Sequence, residues 1–166
     1  MNAICIRAAS IGLVSVLLGF SCLAAGNAGF ELVTADEYQR EKDAHSLLTR
    51  GPGTQPAEPE SLRAADGPLI EVVTPDSRKA VKSPVDISVR FSPGPGATIV
   101  LDSLHVRYGL IGLDVTERIR QSATVTEQGI QAPAAALPAG SHSMSIEIAD
   151  SAGRKTKQAF KFRVEA

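Results

Sequence analysis

The sequence predicts an all-β fold, an antiparallel β-sandwich of about seven or eight short strands over residues 68–166. Three observations carry this expectation. From Leu69 onward, apolar and polar residues alternate with a period of two. Clusters of Pro, Gly, Asp and Ser break the alternation roughly every 8–15 residues, the punctuation of short strands. No amphipathic helical run separates the strands, which disfavours a parallel, helix-wrapped sheet.

The 166 residues begin differently. Residues 1–28 hold one basic side chain, Arg7, then an apolar run from Ile11 to about Ala25, then small residues, the three-part layout of a secretory signal peptide. The run is short for a membrane span, and Glu31, Asp36 and Glu37 follow it rather than a basic stop signal. Cleavage is expected near residues 26–28. It gives a periplasmic or secreted chain with no integral membrane span. Cys22 is a poor lipidation site, because Gly19-Phe20-Ser21 precedes it and Leu18 is one place too far. Cys5 and Cys22 both leave with the leader, so thiol redox and cysteine-hydrolase chemistry are excluded from the mature chain.

Residues 29–49 predict one short helix. Thr34-Ala35-Asp36-Glu37 is a capping box, in which the Thr34 hydroxyl and the Glu37 carboxylate each accept the other residue's amide. Two acids in the first turn favour the helix dipole. The apolar face is thin (Tyr38, Ala44, Leu47, Leu48) and such a helix is marginal alone in water. It therefore either docks through Phe30, Leu32 and Tyr38 or frays. Residues 50–67, with Pro52, Pro56 and Pro59 among Gly, Glu and Ala, read as a solvated linker.

The strands then follow in order. Ile70–Val73 ends at Pro75. Val85, Ile87, Val89 and Phe91 point one way while Asp86, Ser88 and Arg90 point the other. Leu104, Val106 and Tyr108 point inward. A strand-like segment over Leu113–Ile119 is followed by Ala123–Val125 and the Ile130 region. Met144, Ile146 and Ile148, then Phe160, Phe162 and Val164, form two more alternating runs. Between those two, Asp150-Ser151-Ala152-Gly153-Arg154 is a turn, with Asp to bond its own backbone and Gly to take positive φ.

That last region carries a resemblance. Leu137-Pro138-Ala139-Gly140-Ser141-His142, leading through a strand to Asp150-Ser151-Ala152-Gly153-Arg154, resembles the penultimate strand and final hairpin of bacterial immunoglobulin-like (fibronectin-III-like) domains. Ile70–Pro75 and Ser83–Ile87 match the first two strands. The resemblance covers about 68–166 and implies a sandwich, with no specified activity. The chain has no Trp and no Cys pair in this region, so the antibody type is not implied. His142 stands where the family often has Tyr.

Composition narrows function. Net charge is −1, with a mild split between residues 29–66 (eight acidic, four basic) and 67–166 (twelve basic, ten acidic). Neither that balance nor seven aromatics suit a nucleic-acid surface. His45, His105 and His142 lie in separate elements, so no imidazole pair is spaced for a metal. Copper-binding periplasmic sandwiches place His at the mature N-terminus and Met in loops, whereas this chain keeps one Met, Met144, past the leader. His142 is expected to donate to backbone at a corner. Asp76, Asp102, Asp114 and Asp150 at strand ends are turn caps without the spacing of a calcium loop. Ser141-His142-Ser143 on one strand cannot form a relay, and no Gly-x-Ser-x-Gly elbow exists.

The expectation is thus an exported, non-catalytic module without cofactor, catalytic residues or metal ligands. It contacts an envelope protein through a sheet edge or loops. The candidate contact residues are Phe30, Leu32 and Tyr38 on the tail, and Arg154, Lys155 and Lys157 after the last turn. The alternative is a periplasmic carrier for a small molecule or an ion such as calcium.

Overall fold

The computed structural model describes residues 29–49 and 61–165. The expected leader, and residues 50–60 of the expected linker, lie outside the described residues.

Two sheets face each other across one apolar interior. The first contains β1 (Leu62–Arg63), β10 (Lys155–Glu165), β9 (Gly140–Asp150), β5 (Ile99–Tyr108) and β6 (Leu113–Asp114) in that spatial order, with β3 (Ala80–Lys82) also on β10. The second runs β2 (Leu69–Thr74), β4 (Val85–Ser92), β8 (Gly129–Ala135) and β7 (Thr124–Thr126). Every named pair is antiparallel except β3 on β10, where Ala80 faces Arg163 in parallel register. The chain is an all-β sandwich.

The alternation read in the sequence becomes burial. Val85, Ile87, Val89 and Phe91 of β4 meet Leu104, Val106 and Tyr108 of β5 and Met144, Ile146 and Ile148 of β9 in one apolar cluster. Each such aliphatic side chain contributes about 2 kcal/mol on leaving water. The β9–β10 hairpin is closed by the expected turn. Asp150, fully buried, accepts from the Ala152 and Arg154 amides at 3.1 and 3.0 Å, and Gly153 takes φ +76°.

Three elements differ from expectation. Leu113–Ile119 is not one strand: after β6 it becomes α2 (Thr116–Ser122). Asp114 Oδ1 accepts the Thr116 amide at 2.9 Å, which opens the helix, and Val115 and Ile119 bury themselves one turn apart. The Thr116 hydroxyl then accepts the Val106 amide and pins α2 to β5. The expected linker carries β1 at Leu62–Arg63, a pair of residues that lie on β10. The short β3 has too few residues to show a period.

The fourth finding concerns the tail. α1 (Ala35–Thr49) forms with the capping box as predicted: the Thr34 amide donates to Glu37 Oε2 at 2.9 Å and the Glu37 amide to Thr34 Oγ1 at 3.2 Å. The tail does not fray. Glu31 makes a parallel bridge to Ala136, and the Leu32 amide donates to the Ala136 carbonyl at 3.2 Å. Leu32 and Val33 are 0% and 1% exposed and belong to the sandwich core. Residues 29–33 are thus part of the folded unit, and they deliver α1 to one end of it.

Candidate functional site

At that end the elements build a socket around α1, and each part has a local cause. The turn after β5 runs Gly109-Leu110-Ile111-Gly112, with Gly109 at φ +73° and Gly112 at φ +69°. This left-handed bracket, cheap only for glycine, turns consecutive amides in one direction and makes a concave anion nest. The Leu110 amide donates to Glu41 Oε1, and the Ile111 amide to Oε2 at 3.2 Å. A side chain on Gly109 would strike the same carboxylate.

One turn earlier on α1, Glu37 meets Arg118 of α2. The guanidinium donates through both terminal nitrogens, at 2.7 and 2.6 Å, and Nη1 also reaches the Leu32 carbonyl at 3.0 Å. The Arg118 hydrogen bonds, helped by the Thr34 amide, hold the Glu37 carboxyl down at about 2. Its stabilising effect is therefore complete above the ordinary carboxylate range and fades as pH falls toward 2. Glu37→Gln is expected to cost about 1 kcal/mol at neutral pH and a fraction of that at pH 2.5, read by chemical denaturation at both pH values.

Between the two carboxylates lies Tyr38. Its hydroxyl approaches Gly140, which sits at φ +143° and has no room for a β-carbon against that ring. Under Tyr38 lies His142, 2% exposed, with ring centroids 5.0 Å apart. Phe162 of β10 also stacks on the imidazole, with centroids 5.5 Å apart. His142 Nε2 lies 2.8 Å from the Pro138 carbonyl, which can only accept, so this nitrogen carries the proton. Nδ1 then accepts the Tyr108 hydroxyl at 2.7 Å. Burial pushes the imidazole below its ordinary value, outweighing the Pro138 bond, which acts the other way. Burial first, then Tyr38, Glu41 and Glu37, raise the Tyr108 phenol above its usual range. The cluster is neutral and closed.

The tail residues expected to meet a partner are used within the chain: Leu32 is in the core, and Phe30 and Tyr38 are half-buried against it. The basic residues separate. Arg154 pairs with Asp150 at 2.8 Å, Lys155 lies 3.9 Å from Glu147, and Lys157 is half-buried where β1 covers β10. They form no common surface with the tail. Asp76, Asp114 and Asp150 each accept a nearby amide as expected of turn caps. Among the described residues, no group of three or more His, Cys, Asp or Glu is placed to hold a metal, and no helix is long and apolar enough to cross a membrane. Sequence reading singled out Glu37 as a cap and His142 as a corner residue. It passed over Glu41, Arg118 and the 109–112 turn, for which the paired glycines were the one available signal.

No protein-family model matches the chain, and no curated protein matches it. Among solved structures, the crystal structure of CopC from Methylosinus trichosporium OB3b is similar over 58% of this chain and 94% of that one, at 17% identity and a TM-score of 0.40.

Proposed function

We propose that the chain is an exported, non-catalytic binding module, an immunoglobulin-like sandwich that takes a partner protein along one sheet edge. Two features support the immunoglobulin-like assignment. The order β2-β4-β8-β7 against β10-β9-β5 follows the A-B-E-D and G-F-C order of that fold. His142, near the start of β9 and bonded back to Pro138, takes the place of that fold's corner tyrosine.

The observation that carries the binding reading is the outer edge of β2. Among the described residues β2 pairs with β4 alone, so its other side offers free ladder groups. Leu69 and Val73, 46% and 44% exposed, lie along this strand, Val73 at the irregularity between Val72 and Thr74. An open groove beside it is lined by Ile70, Glu71 and Val72 of β2 and by Gln158 and Phe160 of β10. An extended segment of a partner fits such an edge by adding a strand, with main-chain bonds for affinity and the groove for side-chain choice.

The test is photo-crosslinking in the cell of origin, with a benzoylphenylalanine at position 69 or 73 and a control at the exposed Val100, which lies on β5 away from both β2 and the 109–112 turn. Adducts to one envelope protein are expected from the first two positions and not from the third. Equal adducts at all three, or none at the β2 positions, overturn the edge reading. Recovery of the unprocessed chain in the cytoplasm overturns export.

A further inference from the structure

We propose that the socket at the end of the sandwich is a recognition site for a helix bearing a tyrosine with one carboxylate just before it and another three residues after, and that α1 fills this site in cis. The site lies on other elements than the β2 edge and stands independently of it. The fit is specific in four respects. The 109–112 turn offers two amides to one carboxylate, and Arg118 offers a planar fork to the other. Gly140 leaves the space that the tyrosine hydroxyl enters. The floor under the ring is the closed His142–Tyr108 pair.

The occupant is held differently from the segment before it. Leu32 and Val33 are core residues, and they keep the chain attached at Ala136. Beyond Thr34 the hold passes to carboxylates, one aromatic ring and little apolar area, with Leu47 70% exposed. Isolated helices of this length are marginal, so α1 depends on the socket for its order rather than the reverse. A ligand with the same three groups therefore competes with α1 on equal chemistry, with local concentration the main advantage of the cis segment. The partner implied is an acidic, tyrosine-bearing helix of another protein.

The experiment uses the full mature chain with its own helix disabled by Glu37→Ala, Tyr38→Ala and Glu41→Ala. The probe is a fluorescent peptide of residues 34–48, read by anisotropy. The disabled chain is expected to bind it saturably and at least tenfold more tightly than wild type. Adding Arg118→Glu, or replacing Glu37 or Glu41 in the peptide, is expected to weaken binding at least tenfold. Absence of binding to a disabled chain that keeps its strand signal overturns the proposal, as does binding indifferent to the carboxylates. Should the triple variant not fold, Tyr38→Ala alone serves, with the same outcomes. If wild type forms a dimer that the triple substitution abolishes, the ligand is a second copy and the assignment to another protein falls.

Discussion

Gly140→Ala is expected to unseat α1 while the two sheets stay folded. The new β-carbon would meet the Tyr38 hydroxyl and ring, whose atoms are the three nearest to it. The clash falls on the tip of a side chain that can swing away, so the structure yields there and not in the strands. Alanine also takes up a φ of +143° at a strain of about 1–3 kcal/mol. Together these are expected to lower global stability by about 2–3 kcal/mol and to abolish hydrogen-exchange protection over residues 35–49. Protection of β4, β5 and β9 is expected to persist, displaced only by the global loss. Wild-type protection of α1 in the variant would refute this account of the socket.

The second large effect is a loss of stability in mild acid, traced to one imidazole. His142 is neutral when folded, and burial keeps its pKa below that of the unfolded chain, about 6.5. The unfolded state therefore gains a proton first as pH falls. The contribution of this group is whole above about 6.5 and declines below it, by up to about 1.4 kcal/mol per pH unit until the folded imidazole also titrates. The carboxylates held low, Glu37, Asp114 and Asp150, lose their contributions only beneath the ordinary carboxylate range, so the window from 6.5 to 5 belongs to His142. Protonation there also turns the Nδ1 acceptor into a donor facing the Tyr108 hydroxyl. His142→Gln keeps a donor and an acceptor without titrating. Its unfolding free energy is expected to stay flat between pH 7 and 5 while that of wild type falls. Parallel curves for the two proteins would assign the acid response elsewhere.

How much of this was legible in the sequence depends on the range of the forces involved. The β4 alternation and the turn at Asp150 were readable because a half-wet sheet and a tight turn impose their demands on adjacent residues. The Thr34–Glu37 box was readable for the same reason, with its partners three residues apart. The Leu113–Ile119 region misled because Val115, Thr116 and Ile119 are β-branched, while the helical sign was one pair, Val115 and Ile119, a turn apart. The socket was not readable. Glu41 bonds to amides 69 and 70 residues away, and Glu37 to a guanidinium 81 residues away. Nothing in the neighbourhood of either acid marks such a partner. The docking of Leu32 was one of two outcomes left open by a helix with too thin an apolar face to stand alone.

The position of β10 also governs when the protein can acquire its shape. Its outer border carries β1 through Leu62 opposite Lys157, and β3 through Ala80 opposite Arg163, so segments distant in the sequence meet on this one strand. Until β10 has left the ribosome, β1 and β3 lack the strand they pair with and the first sheet stops at β9. Chains dominated by such distant pairings assemble slowly, in milliseconds to seconds. A nascent polypeptide of this design cannot complete its first sheet before β10 has emerged.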